Sequence, residues 1–349
     1  MTKGRWGTCL TLLTTVFCGM GVNIAQDRKP KSEDQEYKLE VDVDLVNINV
    51  AVTTASGNYL ADLKKENFKV FEDKVEQRIT NFSPVDAPFA VALVLDTSSS
   101  TEGKLARIQD EAINFVHQLH PDDEVMVISF DDEVHLETDF TQNRNAIERA
   151  IKRTRTGQST QLYEAVYLAL QEKLKKRRER KTMVLFTDGV DTTSPTTSAK
   201  ETIEKAKESD ALIYPIFFDT RNDMRRLSRG GYPGGTNPRF PAPGRVPIDT
   251  RGPRQRTEDD WEIESLYQRG RSYLHELAEA TGGTVFDAGA LDSLGDAFAK
   301  IAHELRSLYS VGYISTNQKK DGKFRKLLIR VDQPGAIVKA KKGYFPPKR

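Results

Sequence analysis

Three stretches of this chain are apolar almost without interruption: Phe89–Leu95, Met183–Phe186 and Ala211–Phe218. Runs of that length and character fit strands of a parallel sheet that is buried on both faces. Val125–Phe130 reads as a further strand, and Val134–Phe140 as an edge strand hairpinned to it. Between these runs the apolar positions recur every three or four residues, as on a helix with one buried stripe. Leu105, Ile108, Ala112, Phe115 and Leu119 form one such stripe, and Leu294, Phe298, Ile301 and Leu305 another, on a helix expected from Leu291 to Leu305. Asn143–Thr154 predicts a short helix and Gln161 to about Arg177 a longer one, with a short strand at Thr284–Phe286. Alternating strands and helices imply a doubly wound, mostly parallel α/β sheet.

The two ends follow a different rhythm. Val41, Val43 and Leu45 share one parity, while Val46, Ile48, Val50 and Val52 share the other, which predicts a strand with a change of face. After a turn at Ser56-Gly57-Asn58, Phe68–Phe71 and Val75–Phe82 predict the two arms of a hairpin joined through Glu72-Asp73-Lys74. Near the other end, Leu308–Ile314, Lys323–Val331 and Ile337–Phe345 predict short strands separated by Asp321-Gly322 and Pro334-Gly335. A few isolated strands cannot build a core alone, so the two terminal segments are expected to pair in one accessory sandwich or sheet. The organisation expected is 1–25 a secretory signal peptide, 26–37 a linker, 38–87 an N-terminal β segment, 88–307 the α/β domain and 308–349 a C-terminal β segment. Within the α/β domain, Arg221–Thr257 is rich in Gly, Pro and Arg and poor in apolar residues, so it is expected to be a disordered insertion.

The chemistry of interest sits where the first apolar run ends. Asp96-Thr97-Ser98-Ser99-Ser100 alternates acid and hydroxyl side chains between a buried strand and a helix, an arrangement suited to a small hard cation with oxygen ligands. The plainer reading is that Asp96 or a serine caps the following helix. Two further segments bear on the choice. Gly157–Ala165 is a polar loop that places Thr160 ahead of a helix, and Thr182–Gly189 is a buried strand ending in Asp188 and a glycine.

Together these three segments resemble the von Willebrand factor type A (VWA) family. The resemblance implies a Rossmann-like α/β fold and a metal-ion-dependent adhesion site. Its ligands, carried over by position, are Asp96, Ser98, Ser100, Thr160 and Asp188. The implied ion is Mg²⁺, with Mn²⁺ or Ca²⁺ as alternatives, and the implied partner is a protein that offers an Asp or Glu carboxylate to it. This chain has Thr101 where relatives often carry methionine, and Gln158-Ser159 where they carry two glycines; neither change removes an oxygen ligand. Asp191 reads as a turn residue. The β preamble Asn67–Asp73 and the closing Val311-Gly312-Tyr313 and Gly343-Tyr344 are similar to a bacterial VWFA-related branch first noted in Acidobacteria.

Composition narrows the alternatives. The formal net charge is +1, with Lys+Arg 52 against Asp+Glu 51, which gives no argument for nucleic acid. Cys9 and Cys18 both lie in the apolar leader, so a cleaved chain would carry no thiol chemistry, and an uncleaved one would be anchored at a membrane. The leader implies export, so the protein is expected to be secreted or in the periplasm or cell envelope. The basic run Lys175–Lys181 reads as a solvated helix end. No G-x-S-x-G elbow or phosphate-binding G-x-x-x-x-G-K-[ST] is present, and Ser98 replaces the second acid that a Mg²⁺-dependent phosphotransferase of the haloacid-dehalogenase kind requires. The reading is a non-enzymatic, metal-dependent binding module. The alternatives are a scaffold whose ion only stabilises the fold and, behind it, a Mg²⁺-dependent hydrolase.

Overall fold

The computed structural model describes residues 45–83, 87–221, 258–289 and 293–346. The expected signal peptide, the linker, the start of the N-terminal β segment and nearly all of the 221–257 insertion lie outside the described residues.

The terminal segments pair into two facing four-stranded sheets. Strand β1 (Leu45–Thr53) runs antiparallel to β11 (Leu308–Ile314) and to β13 (Ile337–Lys339), and β11 also pairs with β4 (Ile79–Ser83). The second sheet joins β14 (Gly343–Tyr344), β12 (Arg325–Val331), β2 (Phe68–Glu72) and β3 (Val75–Gln77). Alternation along β1 turns Val46, Ile48, Val50 and Val52 into the sandwich core, with Tyr309, Val311 and Tyr313 opposite, while Ala51 joins the core of the central domain. Asp73 and Lys74 both take left-handed backbone angles (φ 47° and 72°), as a two-residue hairpin turn requires. The expected second hairpin arm, Val75–Phe82, is instead two strands in different sheets. Gln77 ends β3, its side-chain amide held by the Thr316 hydroxyl and backbone N–H, and after Arg78 the chain crosses to β11.

A buried charge lies within this sandwich. Glu72 is 2% exposed and accepts hydrogen bonds from Tyr313 (2.6 Å), Ser315 (2.7 Å) and Tyr344 (2.9 Å), with the Arg325 guanidinium at 3.3 Å. Arg325 also donates to the Ser315 hydroxyl (3.0 Å) and to the carbonyls of Asn317 and Lys319.

The central sheet has six strands in the order β10 (Phe286–Gly289), β9 (Leu212–Phe218), β8 (Arg180–Thr187), β5 (Phe89–Asp96), β6 (Glu124–Phe130) and β7 (Val134–Thr141). Neighbours are parallel except β7, which turns back antiparallel on β6. Val91, Leu93 and Leu95 point to one face, where α1 (Leu105–Gln118), α2 (Arg144–Arg153) and the C-terminal helix pack; Ala92 and Val94 point to the other. That second face is covered by α3 (Leu162–Tyr167), α4 (Ala199–Glu208) and α5 (Glu258–Thr281), while the C-terminal helix is α6 (Leu294–Leu305). Asn143 and Ser198 cap α2 and α4 by accepting backbone N–H groups of Ala146 and Glu201.

Three expectations change. The long helix after Gln161 is present over Leu162–Lys176 but is α-helical only to Tyr167; it widens to a π-helix over Leu168–Lys173 and tightens over Leu174–Lys176, with Ala169, Leu170 and Leu174 in the core. The strand expected at Thr284–Phe286 pairs only from Phe286 and runs on to Gly289, while Gly283 before it packs against the Ile213 carbonyl too closely for any side chain. The basic run is not merely a solvated helix end. Arg177 pairs with Glu124, Arg180 lies over the Phe89 ring (4.1 Å) and donates to the Ala87 and Leu308 carbonyls, and Lys181 pairs with Asp210 at 2.6 Å.

Candidate metal centre

Asp96 is the last residue of β5, and Asp188 follows the last residue of β8, the parallel strand beside it. Register alone therefore brings the two acids to the carboxyl edge of the sheet, where ligands of open α/β sheets bind. Thr187, next in line opposite Asp96, donates its hydroxyl to Asp96 Oδ2 at 2.7 Å. Asp96 Oδ1 accepts the Ser98 N–H (3.0 Å) and the Ser98 hydroxyl (2.6 Å). The Ser98 and Ser100 hydroxyls are 3.1 Å apart, and Ser100 lies close enough to Asp188 to favour its charged form. Asp96, Ser98 and Ser100 thus form one continuous hydrogen-bonded chain, with Asp188 beside it.

Helix capping does not account for this cluster. Helix α1 starts at Leu105, and neither its own preceding residue nor the short turn Ser99–Thr101 has a side-chain cap. The Thr101 hydroxyl closes that turn onto the Ser98 carbonyl at 2.7 Å.

Thr160 is buried on the loop before α3 and is tied to the Asp188 side by its backbone. Its N–H donates to the Thr192 hydroxyl (2.8 Å), and its carbonyl accepts the N–H groups of Thr192 (3.0 Å) and Thr193 (3.1 Å). The same loop is tied to the Asp96 side, through Gly157 N–H to the Thr97 carbonyl (2.9 Å) and the Ser99 hydroxyl to the Gln158 carbonyl (3.0 Å). The Thr160 hydroxyl itself bonds to neither carboxylate among the described residues.

Several contributors carry no motif. Asp132 accepts the backbone N–H groups of Gln158 (3.1 Å) and Ser159 (2.8 Å) and the Ser159 hydroxyl, bonds that hold its carboxyl below the usual range. With Asp132 gripping the loop, the missing Gly-Gly pair is replaced by side-chain restraint. Gly157 is required, since a Cβ there would lie 2.5 Å from Asp131. Asp191 is a turn residue, as expected, binding Ser194, and it also accepts the Tyr163 N–H at the start of α3. Asp188 Oδ1 accepts the Val190 N–H (3.0 Å), and Oδ2 accepts the hydroxyls of Thr220 (2.6 Å) and Tyr267 (3.3 Å). Thr220 lies just past β9, the next strand edge, so strand order could have flagged it; Tyr267 is on α5, and only helix docking reveals it.

Electrostatics set the character of the place. Asp96 and Asp188 are 1% and 5% exposed, and among the described residues no Lys or Arg pairs with either. Burial, and then the charge of Asp188, pushes the Asp96 carboxyl up to about 7, and burial likewise raises Asp188. Two carboxylates buried side by side call for a proton or a cation between them. Among the described residues no three of His, Cys, Asp and Glu come together, so any ion here would depend on hydroxyl and water oxygens for the rest of its shell.

Residues 91–190, the span from β5 to just past Asp188, match the family model of the von Willebrand factor type A domain. An uncharacterized protein of Synechocystis sp. is 34% identical over 106 residues, covering 29% of this chain; the chain matches about a quarter (25%) of that relative's length. Similar solved structures include proximal thread matrix protein 1 of the mussel byssus with a zinc-occupied MIDAS motif (TM-score 0.44, 15% identity, 65% of this chain and 47% of that one). Others are the vWF domain of the type V pili tip protein Mfa5 of Porphyromonas gingivalis (TM-score 0.42, 14%, 62% and 94%) and a von Willebrand factor type A protein of Catenulispora acidiphila (TM-score 0.45, 10%, 88% and 75%).

Proposed function

We propose that this chain is a cation-dependent protein-binding module that works outside the cytoplasm. A divalent ion, Mg²⁺ in the first instance with Mn²⁺ or Ca²⁺ able to replace it, is held by Asp96, Ser98, Ser100, Thr160 and Asp188. The observation that carries the reading is the pair of buried carboxylates lined with hydroxyls and lacking a described cationic side chain. Its donors are all oxygen, which favours a hard cation over zinc or copper. Two carboxylates and three neutral hydroxyls leave room for a further anionic ligand, and an Asp or Glu side chain of a partner protein supplies it. Residues 1–25 act as the export signal.

The reading is non-catalytic. His117, His135 and His303 make other contacts, with Glu148, with Asp131 and against the Tyr59 ring. The test is capture of partners from an extracellular or envelope extract by the intact protein, in Mg²⁺ and in chelator, beside the Asp188→Ala variant. Capture that needs both the ion and Asp188 is expected. Thermal stabilisation by Mg²⁺ without ion-dependent capture would support the scaffold reading instead.

A further inference from the structure

The site has a wall that none of its motifs supplies. Helix α5, which packs on the second face of the sheet, meets the turn after Asp188 backbone to backbone. A Cβ at Gly270 would lie 2.5 Å from the Gly189 carbonyl oxygen, and one at Gly189 would lie 2.8 Å from the Gly270 carbonyl carbon. Gly189 also has φ +80°, so both its conformation and its neighbour demand glycine. This contact brings Tyr267, one turn earlier on α5, to Asp188.

The Tyr267 hydroxyl is 3.3 Å from Asp188 Oδ2 and is also hydrogen-bonded to the Thr220 hydroxyl, which donates to the same oxygen at 2.6 Å. Tyr267 is only 3% exposed and Thr220 fully buried, so neither hydroxyl has solvent as an alternative partner. Oδ1 is fixed by the Val190 N–H. The Asp188 carboxylate is thereby held by the Val190 N–H and the Thr220 hydroxyl, and the single Tyr267 proton, shared between Thr220 and Asp188 Oδ2, supports the same oxygen; both hydroxyls come from outside the matched 91–190 segment.

We propose that Tyr267, acting with Thr220, is a positioning residue for the ion: it fixes Asp188 and makes ion binding and the docking of α5 favour one another. The proposal rests on the ion-binding reading above. Coupling of this kind is reciprocal, so what seats α5 tightens the ion, and the ion protects α5.

The experiment is titration of the full chain with Mn²⁺ by calorimetry, joined to amide hydrogen exchange of α5 with and without the ion. Tyr267→Phe and Thr220→Val are each expected to weaken Mn²⁺ binding about three- to tenfold, the loss of one buried hydrogen bond. Thr220→Ser, which keeps the hydroxyl, is expected to restore it. Mn²⁺ should slow exchange around Tyr267 in the parent chain and less so in Tyr267→Phe. Should Tyr267→Phe fail to fold, the Thr220 pair alone decides. If the parent binds Mn²⁺ and both deletions bind it equally well or more tightly, the inference is overturned while the ion site stands. A parent chain that binds no Mn²⁺ overturns the site and the inference together.

Discussion

The molecule buries acidic groups in two places and treats them oppositely. In the sandwich, Glu72 lies beside the Arg325 guanidinium and under three hydroxyls, so its charge is answered within the chain. At the sheet edge, Asp96 and Asp188 face each other with hydroxyls and N–H groups alone. Burial is equally deep in both, so depth does not tell the two regions apart; the balance of charge does. A closed network fixes strand partners, while an unbalanced one leaves a charge still to be neutralised.

Single substitutions should therefore have opposite signs in the two regions. Arg325→Ala leaves Glu72 buried and uncompensated and should destabilise the fold by about 3–5 kcal/mol, measured by denaturant unfolding. Replacing Glu72 and Arg325 together by apolar residues of similar volume should recover most of that loss. If Arg325→Ala were nearly neutral, the contrast would break at its strongest point.

The next effect is on pH. Asp96 is shifted upward, from 3.8 to about 7, so its contribution to stability is full below the unfolded value and is lost as pH rises through the folded one. In chelator, the melting temperature should fall between roughly pH 4 and 8, a change on the order of a few kcal/mol. Saturating Mg²⁺ should flatten that slope, because a cation takes the place of the proton. The direct gain from Mg²⁺ is bounded at about 2.7 kcal/mol for a hundredfold excess over Kd. The smallest effect sharpens the comparison most. Asp188→Asn should raise stability in chelator, by about 1 kcal/mol on ordinary mutational scales, and should remove the response to Mg²⁺. Loss of stability in chelator would mean that Asp188 is a structural acid like Glu72.

Much of this was legible in the chain. Continuous apolar runs mark β5, β8 and β9 because parallel strands covered on both faces have no polar side to show. Asp96 and Asp188 were visible because they terminate such runs, and the serines because they follow Asp96 directly. What could not be read depends on partners distant in sequence. The break of β3 from β4 at Arg78 follows from which sheet each strand joins. Arg177, Arg180 and Lys181 look like a solvated cluster until Glu124, Phe89 and Asp210 fold beside them. Helix α5 carries an apolar stripe through Ile263, Tyr267, Leu274 and Leu277, but nothing local says that its tyrosine will meet Asp188.

The sandwich is closed by strands from opposite ends of the described chain, as the Tyr344–Glu72 hydrogen bond across 272 residues illustrates. A nascent polypeptide emerging from the ribosome must therefore expose β1 to β4 while the whole α/β domain is still being made. At ordinary elongation rates that wait lasts roughly tens of seconds. Until β11 to β14 arrive, β1 to β4 lack their sheet partners, so the sandwich is expected to be the last part of the described fold to close.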